Sequence, residues 1–212
     1  MPATDAASTS TQTLPTPHWH ARLSEAWLRR GGLARLLWPL SLVYGALVRA
    51  RFAAYRWGWL AQTRLPVPVV VVGNVVVGGA GKTPTVVAIV QHLQRLGHRP
   101  GVVSRGHGRR PAQPGEQLPD VLAVLPDTPA HASGDEPALI QRATGVPVFV
   151  GRSRAEAGRA LLAAHPGTTV LVCDDGLQHL ALHADAAVAV FDERGTGNGW
   201  LLPAGLLREP WP

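Results

Sequence analysis

Hydrophobic positions along this chain follow two rhythms. Between residues 67 and 191, short unbroken β-branched runs alternate with stretches in which apolar residues recur every three or four positions. The unbroken runs predict buried strands over 67–72, 101–104, 147–150, 169–173 and 186–191, with a shorter one over 121–125. Helical spacing predicts helices over 83–96, ended by Gly97, over 136–144 and over 154–165. Alternation of this kind builds an α/β fold, a parallel sheet with helices on both faces.

Before residue 66 the pattern changes. Residues 1–17 are polar, small and punctuated by proline, and are expected to be disordered. Residues 18–65 form a basic, aromatic helical arm, carrying Trp19, Trp27, Trp38, Tyr44, Tyr55, Trp57 and Trp59 and eight arginines against one acid, Glu25. Its uninterrupted apolar part, 36–48, has 13 residues, whereas a bilayer crossing takes roughly 20. Arginine flanks and tryptophans are what an interfacial segment uses on anionic membrane lipids, so the arm is expected at a membrane surface, with packing on the domain as the alternative. The apolar run begins too far into the chain for a secretory signal. Pro39 is expected to kink the segment.

Composition sharpens this picture in three places. A length of 212 residues suits one large α/β domain plus an extension, with the domain over 66–212. Lys and Arg total 20 against 14 Asp and Glu, a net charge of +6, so anionic partners are expected: nucleic acid, lipid headgroups or a phosphorylated substrate. Nineteen of the 20 basic residues are arginine, which makes the sole lysine, Lys82, informative. The single cysteine, Cys173, excludes an internal disulfide and a cysteine-cluster zinc site and reads as an inert strand residue.

Lys82 stands in "VVGGAGKTP", between a predicted strand and a predicted helix. That is P-loop chemistry: the backbone of Gly78, Gly79, Ala80 and Gly81 wraps phosphate, Lys82 bridges the outer phosphates, and the Thr83 hydroxyl faces Mg²⁺. Val76 replaces the usual first glycine, and Gly78 and Gly79 supply the flexible backbone instead. A P-loop needs an acid at a neighbouring strand end to organise the metal, and Asp174 and Asp175 end the 169–173 strand. "SGDEP" places Asp135 and Glu136 before a helix, where they serve either as a base beside an acceptor or in capping. His179 lies four residues after Asp175 and is a candidate for the metal or substrate side; Arg105, Arg152 and Arg154 sit at strand ends where α/β sheets bind ligands. With one lysine the chain has no N-K-x-D guanine-reading element, so ATP is the expected nucleotide.

Taken together, the motifs resemble the tetraacyldisaccharide 4'-kinase (lipid A 4'-kinase) family. The resemblance rests on "PVPVVVVGNVVVGGAGKTP", "GVVSRGHGRR", "SGDEP", "PVFVGRSR", "DDGLQH" and "RGTGNGWLLPAGLLREP", in order over nearly everything after residue 18. It implies transfer of the ATP γ-phosphate to the 4'-hydroxyl of a lipid A disaccharide 1-phosphate at the cytoplasmic face of the inner membrane. Lys82 would act in catalysis with Asp135 as base and His179 nearby; Thr83, Asp174 and Asp175 would organise Mg²⁺; Arg154 would join the nucleotide site. No nucleic acid and no obligate protein partner are implied. Departures from the family pattern are His107, Ala184, Thr196 and Leu206. The pattern also implies a second lobe beyond Pro212, so the 212 residues are expected to be an N-terminal fragment or truncated product that binds nucleotide but is weak or inactive as a kinase. Rival readings are a P-loop ATPase or GTPase of the metal-chaperone type and a basic nucleic-acid-binding module.

Overall fold

The computed structural model describes residues 25–78, 81–106 and 119–211. The expected disordered tail, the P-loop residues Gly79 and Ala80, His107 and most of the proline-rich stretch before residue 120 lie outside the described residues. Residues 25–28 are helical, and helix α1 (Gly32–Arg56) follows them. It is followed by β1 (Val69–Gly73), α2 (Lys82–Arg95), β2 (Pro100–Ser104), β3 (Val121–Val124), α3 (Ala130–Ser133), α4 (Asp135–Thr144), β4 (Val148–Gly151), α5 (Arg154–Ala164), β5 (Val170–Asp174) and β6 (Ala186–Ala189). Every strand and helix expected after residue 66 is present, with boundaries displaced by at most two residues.

The six strands form one sheet in the order β3-β4-β2-β5-β1-β6. All pairings are parallel except β3 with β4, so the sheet is mixed rather than wholly parallel. The exception is an edge strand with only Val124 buried; lacking a partner on its far side, it needs no crossover helix and can run either way. Alternation within each strand sends neighbours to opposite faces. Val71, Val103, Leu171 and Cys173 pack with Ala157 and Leu161 of α5, whereas Val72, Val102 and Val172 pack with Val86 and Val90 of α2 and Ile140 of α4. Cys173 is fully buried, and burial pushes its thiol up to about 12, which keeps it protonated and inert.

Helix α1 is not part of this sandwich. Its buried residues, Ala34, Ser41 and Gly45, fall on one face, and Ser41 and Gly45 rest on the segment 201–208. Ser41 Oγ donates to the Leu201 carbonyl at 2.8 Å and accepts from the Ala204 N–H at 3.0 Å. Tyr44 donates to the Arg208 carbonyl at 2.7 Å, and a Cβ on Gly45 would lie 2.7 Å from Leu201. The opposite face carries Leu36, Leu40, Val43 and Leu47, all exposed and spaced as one stripe. Pro39 lies inside the helix, and residues on both sides of it stay helical. With 25 residues and an 18-residue window of mean hydropathy 1.3, α1 is long and apolar enough to cross a membrane by length and composition alone. Counting only the unbroken apolar run understates it, because the helix continues past that run at both ends.

Candidate active site

Strands β1 and β5 are neighbours in register, with Val72 opposite Asp174, so the turn leaving β1 meets the carboxylates that end β5. After β1 the chain turns through Gly78 and Gly81, whose positive φ values of 114° and 69° only glycine adopts readily, and enters α2 at Lys82. After β5 the backbone turns at Asp175, the one non-glycine residue with positive φ (50°) among the described residues. Aspartate tolerates that region better than most side chains, and strain of this kind collects at functional sites.

The turn brings Lys82 Nζ to 3.2 Å from Asp175 Oδ1, and the Arg208 guanidinium stands 3.9 Å from the same oxygen. Asp175 Oδ1 has no aligned hydrogen bond, so both contacts are charge pairs rather than directed bonds. Asp174 is buried, and one carboxylate oxygen accepts from Ser104 Oγ at 3.1 Å while the other, Oδ1, has no partner. Burial, then the nearby Glu136 charge, push the Asp174 carboxyl up to about 6, against which the Ser104 bond works. Arg154, buried at the start of α5, donates to the Asp175 carbonyl at 3.2 Å and keeps an unpartnered Nε. Thr83 is buried in the first turn of α2.

These groups fit a hard divalent cation. A buried carboxylate with a free oxygen, a second carboxylate and a hydroxyl offer oxygen ligands only. Among the described residues no three His, Cys, Asp or Glu side chains form a metal cage of their own. That suits Mg²⁺, which takes one or two carboxylates and completes its shell with water and phosphate.

The remaining expected residues divide. His179 is half-buried, and burial, followed by the Arg154, Arg51 and Arg105 charges, lowers its pKa, so the imidazole is neutral at pH 7 in a cationic neighbourhood. Asp135 is the exposed first residue of α4. Gly134 occupies the cap position and no side chain caps that helix, so the capping alternative for Asp135 is not realised as a hydrogen bond. Glu136, one residue on, is close enough to Asp174 to raise its pKa. Arg152 is exposed just past the end of β4 and is not drawn into the cluster.

Five residues of the cluster had no role assigned from sequence. Asn74 is fully buried and donates to the Gly78 carbonyl at 2.8 Å. Gln178 bridges the Asn74 carbonyl at 3.2 Å and Glu209 Oε1 at 3.1 Å. Ser104 and Arg208 complete the set. All five lie inside the quoted motifs, which was the available signal; their spatial roles depend on sheet order.

Comparison with known proteins bears on the family and the fold. The LpxK family, described as tetraacyldisaccharide-1-P 4'-kinase, matches residues 33–212. Proteins named tetraacyldisaccharide 4'-kinase from Acidovorax sp. (strain JS42) and Polaromonas naphthalenivorans (strain CJ2) are 63% and 62% identical over 90% of this chain, covering 54% and 53% of their own lengths. The chain thus spans about half the length of the curated relatives it matches. The crystal structure of LpxK from Aquifex aeolicus in complex with ATP is similar with a TM-score of 0.71 and 33% identity, over 84% of this chain and 55% of that one. The chain belongs to the tetraacyldisaccharide 4'-kinase family.

Proposed function

We propose that this chain serves ATP-dependent phosphorylation of the 4'-hydroxyl of a tetraacyldisaccharide 1-phosphate. The observation that carries the reading is the meeting of Lys82, Asp174 and Asp175 at the ends of adjacent strands β1 and β5. In this reading the backbone around Gly78 and Gly81, with Gly79 and Ala80, cradles the phosphates, and Lys82 exchanges Asp175 for the outer phosphate oxygens. Thr83, Asp174 and Asp175 would hold Mg²⁺, and the ion would supply positive charge against that developing on the transferring phosphoryl group. Arg154, buried with a free Nε, stiffens the Asp175 turn and lends positive charge to the nucleotide side.

The chemical step is a displacement at phosphorus. The acceptor 4'-oxygen forms a bond to the γ-phosphorus, the bond to the β–γ bridging oxygen breaks, and ADP leaves with that electron pair. Asp135 takes the hydroxyl proton; its exposed place at the head of α4, without capping duty, leaves it open to an incoming acceptor. A neutral His179 accepts or donates a hydrogen bond at the acceptor side without adding charge.

We place the protein at the cytoplasmic face of the inner membrane. The exposed stripe of α1 offers acyl chains an apolar face, and Arg35, Arg49, Arg51 and Arg56 offer guanidinium groups to lipid phosphates. The hydrogen bonds of Ser41 and Tyr44 to the domain, made at mid-helix, favour a helix lying on the membrane over one crossing it.

The test is transfer of labelled γ-phosphate from ATP to a tetraacyldisaccharide 1-phosphate in mixed micelles. It compares this chain and a chain extended to the length of its relatives, each with and without Asp135→Ala. Phosphorylated lipid from the extended chain, lost on Asp135→Ala, supports the reading. An extended chain that ignores the lipid overturns it.

A further inference from the structure

We propose that Arg194, in the "RGTGNG" segment, is a positioning residue for the P-loop, clamping the backbone from which the loop departs. Its Nη2 donates to the Val77 carbonyl at 3.0 Å. The same guanidinium forks onto Asp192, with Nε at 3.1 and 3.0 Å from the two oxygens and Nη2 at 2.7 Å, and the Arg194 N–H donates to Asp192 at 3.0 Å. Those hydrogen bonds hold the Asp192 carboxyl below its usual range. The guanidinium therefore reaches Val77 already oriented, and a fork of this kind is something only arginine makes.

Its neighbours are arranged around it. Gly78 has φ +114°, and a Cβ there would lie 2.6 Å from Arg194 Nη2, so the glycine makes the space the clamp occupies. Asn74 Nδ2 takes the Gly78 carbonyl at 2.8 Å. The preceding residues pair with the "LLRE" segment: Val77 N–H donates to the Leu206 carbonyl at 3.0 Å, and Arg208 N–H to the Val75 carbonyl at 2.7 Å. Two successive carbonyls, whose lone pairs would repel phosphate oxygens, are thus held by protein donors. Peptide planes fixed in advance need no reorganisation when an anion arrives.

The inference rests on the proposed nucleotide binding at Lys82. Its test is Mg-ATP affinity of the 212-residue chain, measured by displacement of a fluorescent ATP analogue and accompanied by thermal melts, for wild type, Arg194→Ala, Arg194→Lys and Asp192→Asn. In Arg194→Ala the dissociation constant for ATP is expected to rise about tenfold, as for loss of a charge-assisted hydrogen bond. AMP, which lacks the outer phosphates, should lose less. Arg194→Lys should recover little, because one ammonium cannot span Asp192 and Val77, and Asp192→Asn should fall between. Unchanged ATP affinity in folded Arg194→Ala overturns the inference, as does full recovery by lysine, which would make the residue a point charge. If Arg194→Ala does not fold, Arg194→Lys and Asp192→Asn decide in the same way. A wild-type chain that does not bind Mg-ATP removes the nucleotide reading and the clamp together; wild-type binding with unaltered variants removes the clamp alone.

Discussion

The two ends of the sheet both carry charged clusters, and they differ in how completely those clusters close. At the amino ends of β1 and β6, Arg64 meets His183 Nε2 at 2.8 Å, His183 Nδ1 meets Gln62 at 3.2 Å, and Asp185 accepts the Val69 N–H at 2.8 Å. At the carboxyl ends, Asn74 Oδ1, Arg154 Nε, Asp174 Oδ1 and Asp175 Oδ1 are buried without a hydrogen-bond partner, and they are the side-chain atoms in that condition among the described residues. An unmade hydrogen bond on a buried polar atom costs about 1–3 kcal/mol; Asp175 Oδ1 is offset by its charge pairs with Lys82 and Arg208, and the other three have no such offset. The first cluster is closed on itself; the second keeps the unspent polar capacity that the proposed nucleotide site requires.

The largest expected effect would break the comparison outright if it failed. Lys82→Ala should weaken Mg-ATP binding by about a hundredfold, which corresponds to the upper end of what a hydrogen bond to a charged group contributes. Its melting temperature should stay near wild type, since the Asp175 pair lacks directed geometry. Isothermal titration beside a thermal melt reads both; a large drop in stability with intact binding would make Lys82 structural.

Next comes the cost of holding Asp174 ready. Its carboxyl titrates near 6 in the fold, against an ordinary value of 3.8, because burial disfavours the anion. The folded state therefore binds this proton more tightly than the unfolded chain. The associated stability is fully present below about pH 4 and is lost as pH rises through about 6. Asp174→Asn, which is neutral at every pH and still accepts from Ser104, should stabilise the magnesium-free chain by up to ~3 kcal/mol at pH 7.5. The gain should vanish below about pH 4, and Mg²⁺-dependent nucleotide binding should disappear. Urea melts across pH in chelator check the sign; a destabilised variant at pH 7.5 would place Asp174 in the closed class.

The open cluster was more legible in sequence than its supports. Lys82 and Thr83 stand in one short motif, and Asp174 and Asp175 directly follow a β-branched run, so local spacing marks them. Ser104 reaches Asp174 across 70 positions and Gln178 reaches Asn74 across 104, and neither contact exists until β2, β5 and β1 stand side by side. The direction of β3 was illegible for a related reason: period-2 pattern gives burial, not orientation, at an edge. Asp135 shows a third limit. Acids before a helix look alike whether they cap or catalyse, and the structure speaks to the first alternative alone: Gly134 takes the cap position and no side chain makes a cap hydrogen bond.

A smaller effect sharpens the comparison from its closed side. Asp185→Ala removes the acceptor of the Val69 N–H at the start of β1 and the carboxylate 3.6 Å from His183. The expected cost is about 1–2 kcal/mol in urea denaturation, with ATP affinity unchanged, because this end of the sheet lies away from the P-loop. Weakened nucleotide binding in the folded variant would show that the two ends of the sheet are coupled rather than independent.

The smallest effect on the fold belongs to α1, where the unused capacity is apolar rather than polar. Leu36 and Leu47 remain 77% and 66% exposed, with Leu40 and Val43 between them on the stripe facing away from Ala34, Ser41 and Gly45. Replacing Leu40 with Gln removes no buried contact, so stability should move by no more than about 0.5 kcal/mol. The double variant Leu40→Gln, Leu47→Gln should nonetheless lose binding to anionic vesicles, since each buried apolar side chain contributes about 1.5–3 kcal/mol on transfer from water. Vesicle co-sedimentation with a parallel melt separates the possibilities. If the variant melts early instead, the stripe is covered by protein and belongs with the closed cluster. If it melts normally and leaves the vesicles, α1 repeats in apolar form what Asp174 and Arg154 do in polar form: surface kept free of internal partners because the ligand is the partner.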